Sequence, residues 1–223
     1  MIRLVSICLC LLLLLSGCAK DSQTMANSNP VMVLIDPGHG GFDGGAVAED
    51  GTYEKHINLS ISLTLSDMLK VCGVSVRMTR TTDQALNAED STAIRSNKTS
   101  DMRARLALYQ QANTVLSIHQ NNFSISKYSG TQVFYSGNHS NSAILADALQ
   151  ASIRNKLQPN NHRETKKATD GIYLLHHTTT PCALVECGFL SNPEEREKLK
   201  QCTYQQQMAF AIAAGYWDYI LVK

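Results

Sequence analysis

Apolar positions along this chain alternate between two rhythms. Val31–Asp36 is a continuous aliphatic run that stops at Pro37-Gly38, the signature of a strand buried on both faces. Ile57, Ile61, Leu65, Met68 and Leu69 then recur at helical spacing. They predict a helix from about Glu54 to Lys70, with Gly73 in its C-cap region. Val74, Val76 and Met78 alternate as a strand, whereas residues 81–100 are polar and rich in Thr, Ser and Asn and read as a long loop. A helix is expected over Met102–Ala112, and strands over Val115–Ile118, Thr131–Tyr135, Ile172–Leu175 and Cys182–Val185. Ile144, Ala148, Ile153 and Leu157 place a helix from about Ser142, and Glu194–Lys200 and Gln205–Tyr219 read as closing helices.

This alternation predicts an α/β fold: one domain, with a mostly parallel twisted sheet of about six strands and helices on both faces. No internal repeat interrupts it. Parallel strands share a carboxyl edge, and sites in open α/β sheets gather there. His39 follows the first strand's sharp turn, His119 ends Thr114–Ile118, and Glu186 ends Cys182–Val185. Glu54 opens the helix after the first strand's loop, so all four are expected on one rim.

Composition narrows the picture. At 223 residues the chain can bury a substantial single core, and 43% hydrophobic against 17% charged residues is globular. A formal net charge of +1 gives no electrostatic footprint for nucleic acid. Arg3 followed by the apolar run Leu4–Leu15 reads as a targeting segment over residues 1–17. Leu15-Ser16-Gly17-Cys18 resembles a bacterial lipoprotein signal, which implies cleavage before Cys18 and a lipid on its thiol. That places the protein outside the cytoplasm, anchored to the membrane. Residues 18–29 read as a flexible tether, and the domain is expected over 30–223. Of the seven cysteines, Cys72, Cys182, Cys187 and Cys202 lie beyond the leader. No C-x-x-C pair occurs, Cys182 and Cys187 would point to opposite faces of a strand, and all four are expected as buried free thiols.

The chemistry candidates follow from position. The glycines of 38–45 fit neither a nucleotide loop nor a dinucleotide fingerprint, and more plausibly let backbone approach a metal site. Two histidines and a carboxylate can hold zinc with one position open, and a further carboxylate beside it can move protons. A charged Glu186 beside a strand core would be costly without a cation. No H-E-x-x-H helix and no G-x-S-x-G elbow is present. Arg80, Arg103 and Arg105 either bind an anionic substrate or make structural ion pairs. His176 or His177 could touch substrate, though both read first as surface residues, as do His56, His139 and His162. No substrate-binding residue is assigned.

These motifs, in this order, resemble the zinc-dependent N-acetylmuramoyl-L-alanine amidases of bacterial cell-wall turnover, over about Val31 to Lys223. Asp36-Pro37-Gly38-His39-Gly40-Gly41 is similar to the family's first metal motif, and Glu54-Lys55 with Asn58-Leu59 to the second. Ser117-Ile118-His119-Gln120-Asn121 is similar to the third, and Leu184 to Asn192 to the catalytic glutamate motif. The resemblance implies zinc held by His39, Glu54 and His119, catalysis by Glu186, peptidoglycan as substrate and dependence on a protein activator. Arg95 to Arg105 is similar to germination-type members, which process spore cortex and help form muramic δ-lactam. No long insertion interrupts 130–180, so the self-blocking helix of some division amidases is not expected. Two rivals remain: an exported zinc peptidase of the stem peptide, and a non-catalytic, lipid-anchored wall-binding protein.

Overall fold

The computed structural model describes residues 32–87 and 94–222. The leader, the tether and Cys18 lie outside the described residues. Six strands form one sheet: β1 (Met32–Pro37), β2 (Ser75–Met78), β3 (Thr114–Asn121), β4 (Gln132–Tyr135), β5 (Lys166–Lys167) and β6 (Cys182–Phe189). Their spatial order is β2-β1-β3-β6-β4-β5. β1, β2, β3 and β6 run parallel, β4 runs antiparallel to β6, and β5 pairs parallel with β4. The expected mostly parallel sheet of six strands is therefore present.

The helices are α1 (Glu54–Val71), α2 (Ile94–Tyr109), α3 (Asn141–Lys156), α4 (Tyr173–His177), α5 (Pro193–Lys200) and α6 (Cys202–Val222). The two-residue period of the central strands sorts them into two cores. Val33, Ile35, Leu116, Ile118, Ala183, Val185 and Cys187 face a large cluster with Ile57, Ile61, Leu65, Leu149 and Ile212 of α1, α3 and α6. Leu34, Val115, Cys182 and Leu184 face a smaller cluster with Tyr109 of α2 and Leu175 of α4. By the same parity Asp36, Ser117, His119 and Glu186 belong to the second, more thinly covered face. The central strands thus end in polar residues where only one long helix and one short helix cover them.

Four expectations need correction. α2 begins at Ile94, inside the predicted loop, because its buried positions are Ser100, Asp101, Arg105 and Tyr109 and carry almost no apolar signal. Ile172–Leu175 is not a strand: Tyr173–His177 is a short helix, and four residues are too few to fix a period. β5 consists of two exposed lysines and has no apolar pattern. Finally, His119 and Glu186 do not follow their strands but lie within them, and the strands continue to Asn121 and Phe189. Cys182 and Cys187 are buried and free as expected, on opposite faces, whereas Cys72 and Cys202 are free but exposed. No helix among the described residues is long and apolar enough to cross a membrane.

Candidate active site

Three pieces of backbone deliver the four candidate residues. β1 ends at Pro37, and the chain turns through His39 in a left-handed conformation (φ 62°) followed by Gly40 and Gly41, also at positive φ. A non-glycine residue pays strain there unless its surroundings fix it. Glu54 is the first residue of α1 and is buried (3% exposed). His119 and Glu186 are directly paired across β3 and β6, so their side chains leave the same face of adjacent strands.

The donor atoms converge. His39 Nε2 lies 3.3 Å from Glu54 Oε2, and His119 Nδ1 lies 3.0 Å from Glu54 Oε1. Coordinating atoms from His39, Glu54 and His119 all fall within 4.8 Å of one another. Ligands about 2 Å from a tetrahedral ion stand about 3.3 Å apart, so the donor set and its spacing fit a zinc-type ion. Glycines make the approach feasible. A Cβ on Gly38 would lie 2.2 Å from the His119 ring, and one on Gly45 would lie 2.6 Å from Glu54 Oε2.

Each converging group is held from behind. His39 Nδ1 meets Asp43 Oδ2 at 2.8 Å. The carboxylate accepts, so Nδ1 keeps its proton, and Nε2 is the nitrogen that faces the cluster and that an ion would take by displacing its proton. Lys98 in turn pairs with Asp43 at 2.8 Å. Glu54 accepts from the backbone N–H groups of Ala46 and Gln120 and from Asn58 Nδ2. Asn58 also donates to the Gly38 carbonyl and accepts from Gln120 Nε2. Asn58 and Gln120 were quoted only as motif members, without a role, and Asp43 is a functional neighbour that sequence reasoning did not single out. The one signal for Asp43 was an acidic residue four positions after His39.

The electrostatics separate the two glutamates. Burial would raise the Glu54 carboxyl, but hydrogen bonds from His119 and His39 outweigh it and hold the group well below the usual carboxylate range. Burial also opposes charging of His39, and the hydrogen bonds to Asp43 and Glu54 prevail, lifting it to about 9. Glu186 moves the other way. Burial, then the Glu54 charge, push it up to about 8 against a smaller pull from His39. Its Oε2 is shielded and has no hydrogen-bond partner among the described residues. Such divergent carboxyls are typical of a pair with different roles. A cavity of about 290 Å³ opens at His39, His119 and Glu186, with Met102, Ile172 and Leu174 on its far wall.

Arg80 and Arg105 are buried and their donors are spent on backbone and on Asp36 and Asp101. Of the two readings offered, the ion pair holds for Arg105, which meets Asp36 and Asp101, whereas Arg80 fits neither and gives its donors to backbone carbonyls. Arg103 is exposed, and His176 and His177 lie on α4, stacked edge-on with rings 5.0 Å apart.

A family model described as N-acetylmuramoyl-L-alanine amidase matches residues 33–216, which spans every strand and all four candidate residues. The chain belongs to the N-acetylmuramoyl-L-alanine amidase family. It is 37% identical over 194 residues to the germination-specific N-acetylmuramoyl-L-alanine amidase of Bacillus subtilis (strain 168), covering 86% of this chain and 81% of that one. It is 28% identical over 241 residues to the amidase AmiA of Salmonella typhimurium, covering 88% and 78%. Among solved structures, the CwlD amidase from Clostridioides difficile, determined in complex with the GerS lipoprotein, superposes with a TM-score of 0.83 at 37% identity. That match covers 86% of this chain and 99% of that one. This amidase is therefore a peptidoglycan hydrolase, and the resemblance drawn from the motifs stands.

Proposed function

We propose that this amidase cuts the amide between the lactyl group of N-acetylmuramic acid and the first L-alanine of the stem peptide by a zinc-dependent mechanism. In this reading His39, Glu54 and His119 hold the ion and Glu186 is the acid–base group. The observation that carries the reading is the convergence of the His39, Glu54 and His119 donor atoms beside a shielded, unpartnered Glu186 oxygen. When bound, zinc supplies an activated water near neutral pH and polarises the scissile carbonyl. Glu186 accepts the proton of the attacking water and delivers it to the leaving nitrogen as the C–N bond breaks. Asp43 fixes the His39 tautomer, and the three N–H donors on Glu54 keep its carboxylate aimed at the cluster.

The setting is proposed on the same footing. Similarity to a germination-specific amidase supports a role in spore cortex, with muramic δ-lactam formation as its outcome. A similar amidase whose structure was determined in complex with a lipoprotein supports a protein partner that activates this chain. The leader and Cys18 support export and a lipid anchor on the outer face of the cytoplasmic membrane, with the catalytic domain over 30–223.

The test is mass spectrometry of purified peptidoglycan incubated with the zinc-loaded protein. Free stem peptides beginning at L-alanine are expected, and cleavage within the stem would instead identify a peptidase. Glu186→Gln should retain zinc and lose turnover by about 10²–10⁴-fold. His119→Ala should lose zinc itself, read by metal analysis after gel filtration. Normal turnover by either variant would contradict the role given to that residue.

A further inference from the structure

Beneath the loop that carries His39 lie two guanidiniums, Arg80 and Arg105, which are 2% and 3% exposed. Arg80 gives all four of its hydrogen bonds to backbone carbonyls. Nε donates to Pro37 O at 3.0 Å, Nη1 to Thr82 O at 3.1 Å, and Nη2 to both Gly38 O at 3.0 Å and Lys55 O at 2.9 Å. One nitrogen therefore joins the carbonyl just before His39 to the carbonyl just after Glu54. Arg105 continues the clamp. Its Nη2 donates to the carbonyl of His39 itself at 2.7 Å, its Nη1 to Pro37 O at 3.0 Å and to Asp36, and its Nε to Asp101 at 2.7 Å.

Three further observations point the same way. His39 is the one non-glycine residue at positive φ among the described residues, and a strained position persists only where its surroundings fix it. Gly40, at φ 136°, has no room for a Cβ, which would fall 2.4 Å from the Gln84 carbonyl oxygen and 2.9 Å from Arg80 Cδ and Nε, so Arg80 packs directly against this loop. No carboxylate stands within hydrogen-bonding reach of Arg80 among the described residues, so a buried cation is kept without the ion pair that usually offsets its desolvation. Its planar fork can span three segments at once, which a lysine ammonium cannot.

We propose that Arg80 and Arg105 are positioning residues of the metal centre, fixing His39 and Glu54 relative to each other through the backbone carbonyls beside them. Metal affinity, rather than the proton transfers at Glu186, is what they control. The inference rests on the assignment of His39 and Glu54 as ligands.

The experiment is a zinc titration of the full-length protein against a chromophoric chelator, well below the unfolding temperature of every variant. Wild type, Arg80→Lys, His39→Ala and Ile153→Val are compared. Ile153 lies in the distant core and serves as a control for general destabilisation. Arg80→Lys should weaken zinc binding by about 10–100-fold and alter the visible spectrum of the cobalt-substituted protein. Ile153→Val should bind zinc as wild type does. Arg80→Lys binding as tightly as wild type would overturn the proposal, as would equal weakening by Ile153→Val. Should Arg80→Lys not fold, Arg105→Lys carries the same expectation and decides. Undiminished binding by His39→Ala would show that the ligand assignment itself had failed, whereas its loss alongside an unaffected Arg80→Lys would remove the positioning role alone.

Discussion

Gly38 and Gly45 show how much of this site depends on side chains that are missing. A methyl at Gly38 would sit 2.2 Å from the His119 Cε1 and Nε2 atoms, so the ring would have to move. Gly38→Ala should therefore displace His119 and lower stem-peptide release by about 100-fold or more, with zinc content falling in parallel by metal analysis. The four chemical residues were legible in the sequence because each is a polar residue at the edge of a predicted element, His39, His119 and Glu186 after an apolar strand run and Glu54 at the start of a helix, and because all four stand in family-like motifs. Their supporting groups were legible only in part. Asn58 and Gln120 stood in the motifs without a role and Asp43 stood outside them, and only the folded geometry shows what each one holds. Arg80 and Arg105 were visible as cations, but nothing in a linear chain says that a guanidinium will spend its donors on carbonyls.

At the level of elements, α2 is the instructive case. It turns Ser100, Asp101, Arg105 and Tyr109 inward, so its buried stripe is polar and its first two turns read as loop. The stripe is explained by Asp36 at the end of β1. That carboxylate is fully buried and accepts from Arg105, Thr79, Tyr109 and Ser117. Burial would raise its pKa, but Arg105 and the hydroxyls outweigh this and hold it below the ordinary 3.8. A depressed carboxyl contributes stability that is complete above its unfolded value and is lost as pH falls below 3.8 toward the folded one. Asp36→Asn, which leaves Arg105 short of a buried partner, should cost about 3–5 kcal/mol at neutral pH by urea denaturation. It should also flatten the acid limb of the stability curve, because the group that titrates there is gone. The strands were easier to read than α2, since β1, β3 and β6 are apolar on both faces. The short elements β5 and α4 were not, because two and five residues establish no period.

Over the whole molecule, two apolar cores and a hydrogen-bonded sheet stand behind the site. The apolar clusters on the two faces do not include His39, Glu54, His119 or Glu186. Chelation should therefore abolish turnover while leaving the far-UV circular dichroism spectrum unchanged, and added zinc should restore activity. A protein that unfolded on chelation would show that the metal organises the fold as well. The fold class was legible at this scale because strand and helix signals alternate along the chain, and the parallel arrangement follows from that alternation. The antiparallel β4 was not legible, because direction within a sheet leaves no mark on a strand four residues long.

The spatial order of the strands sets the order in which this hydrolase becomes competent. β6 is the last strand to be synthesised, yet it sits between β3 and β4 in the finished sheet. A chain emerging from its amino end presents His39, Glu54 and His119 long before residue 186 exists, and until β6 inserts the sheet is split down its middle. Glu186 is thus the last of the four residues to reach the rim. A chain cut short before β6 would lack Glu186, the carboxyl proposed to move protons, so the capacity to cut the wall would come only with a finished copy.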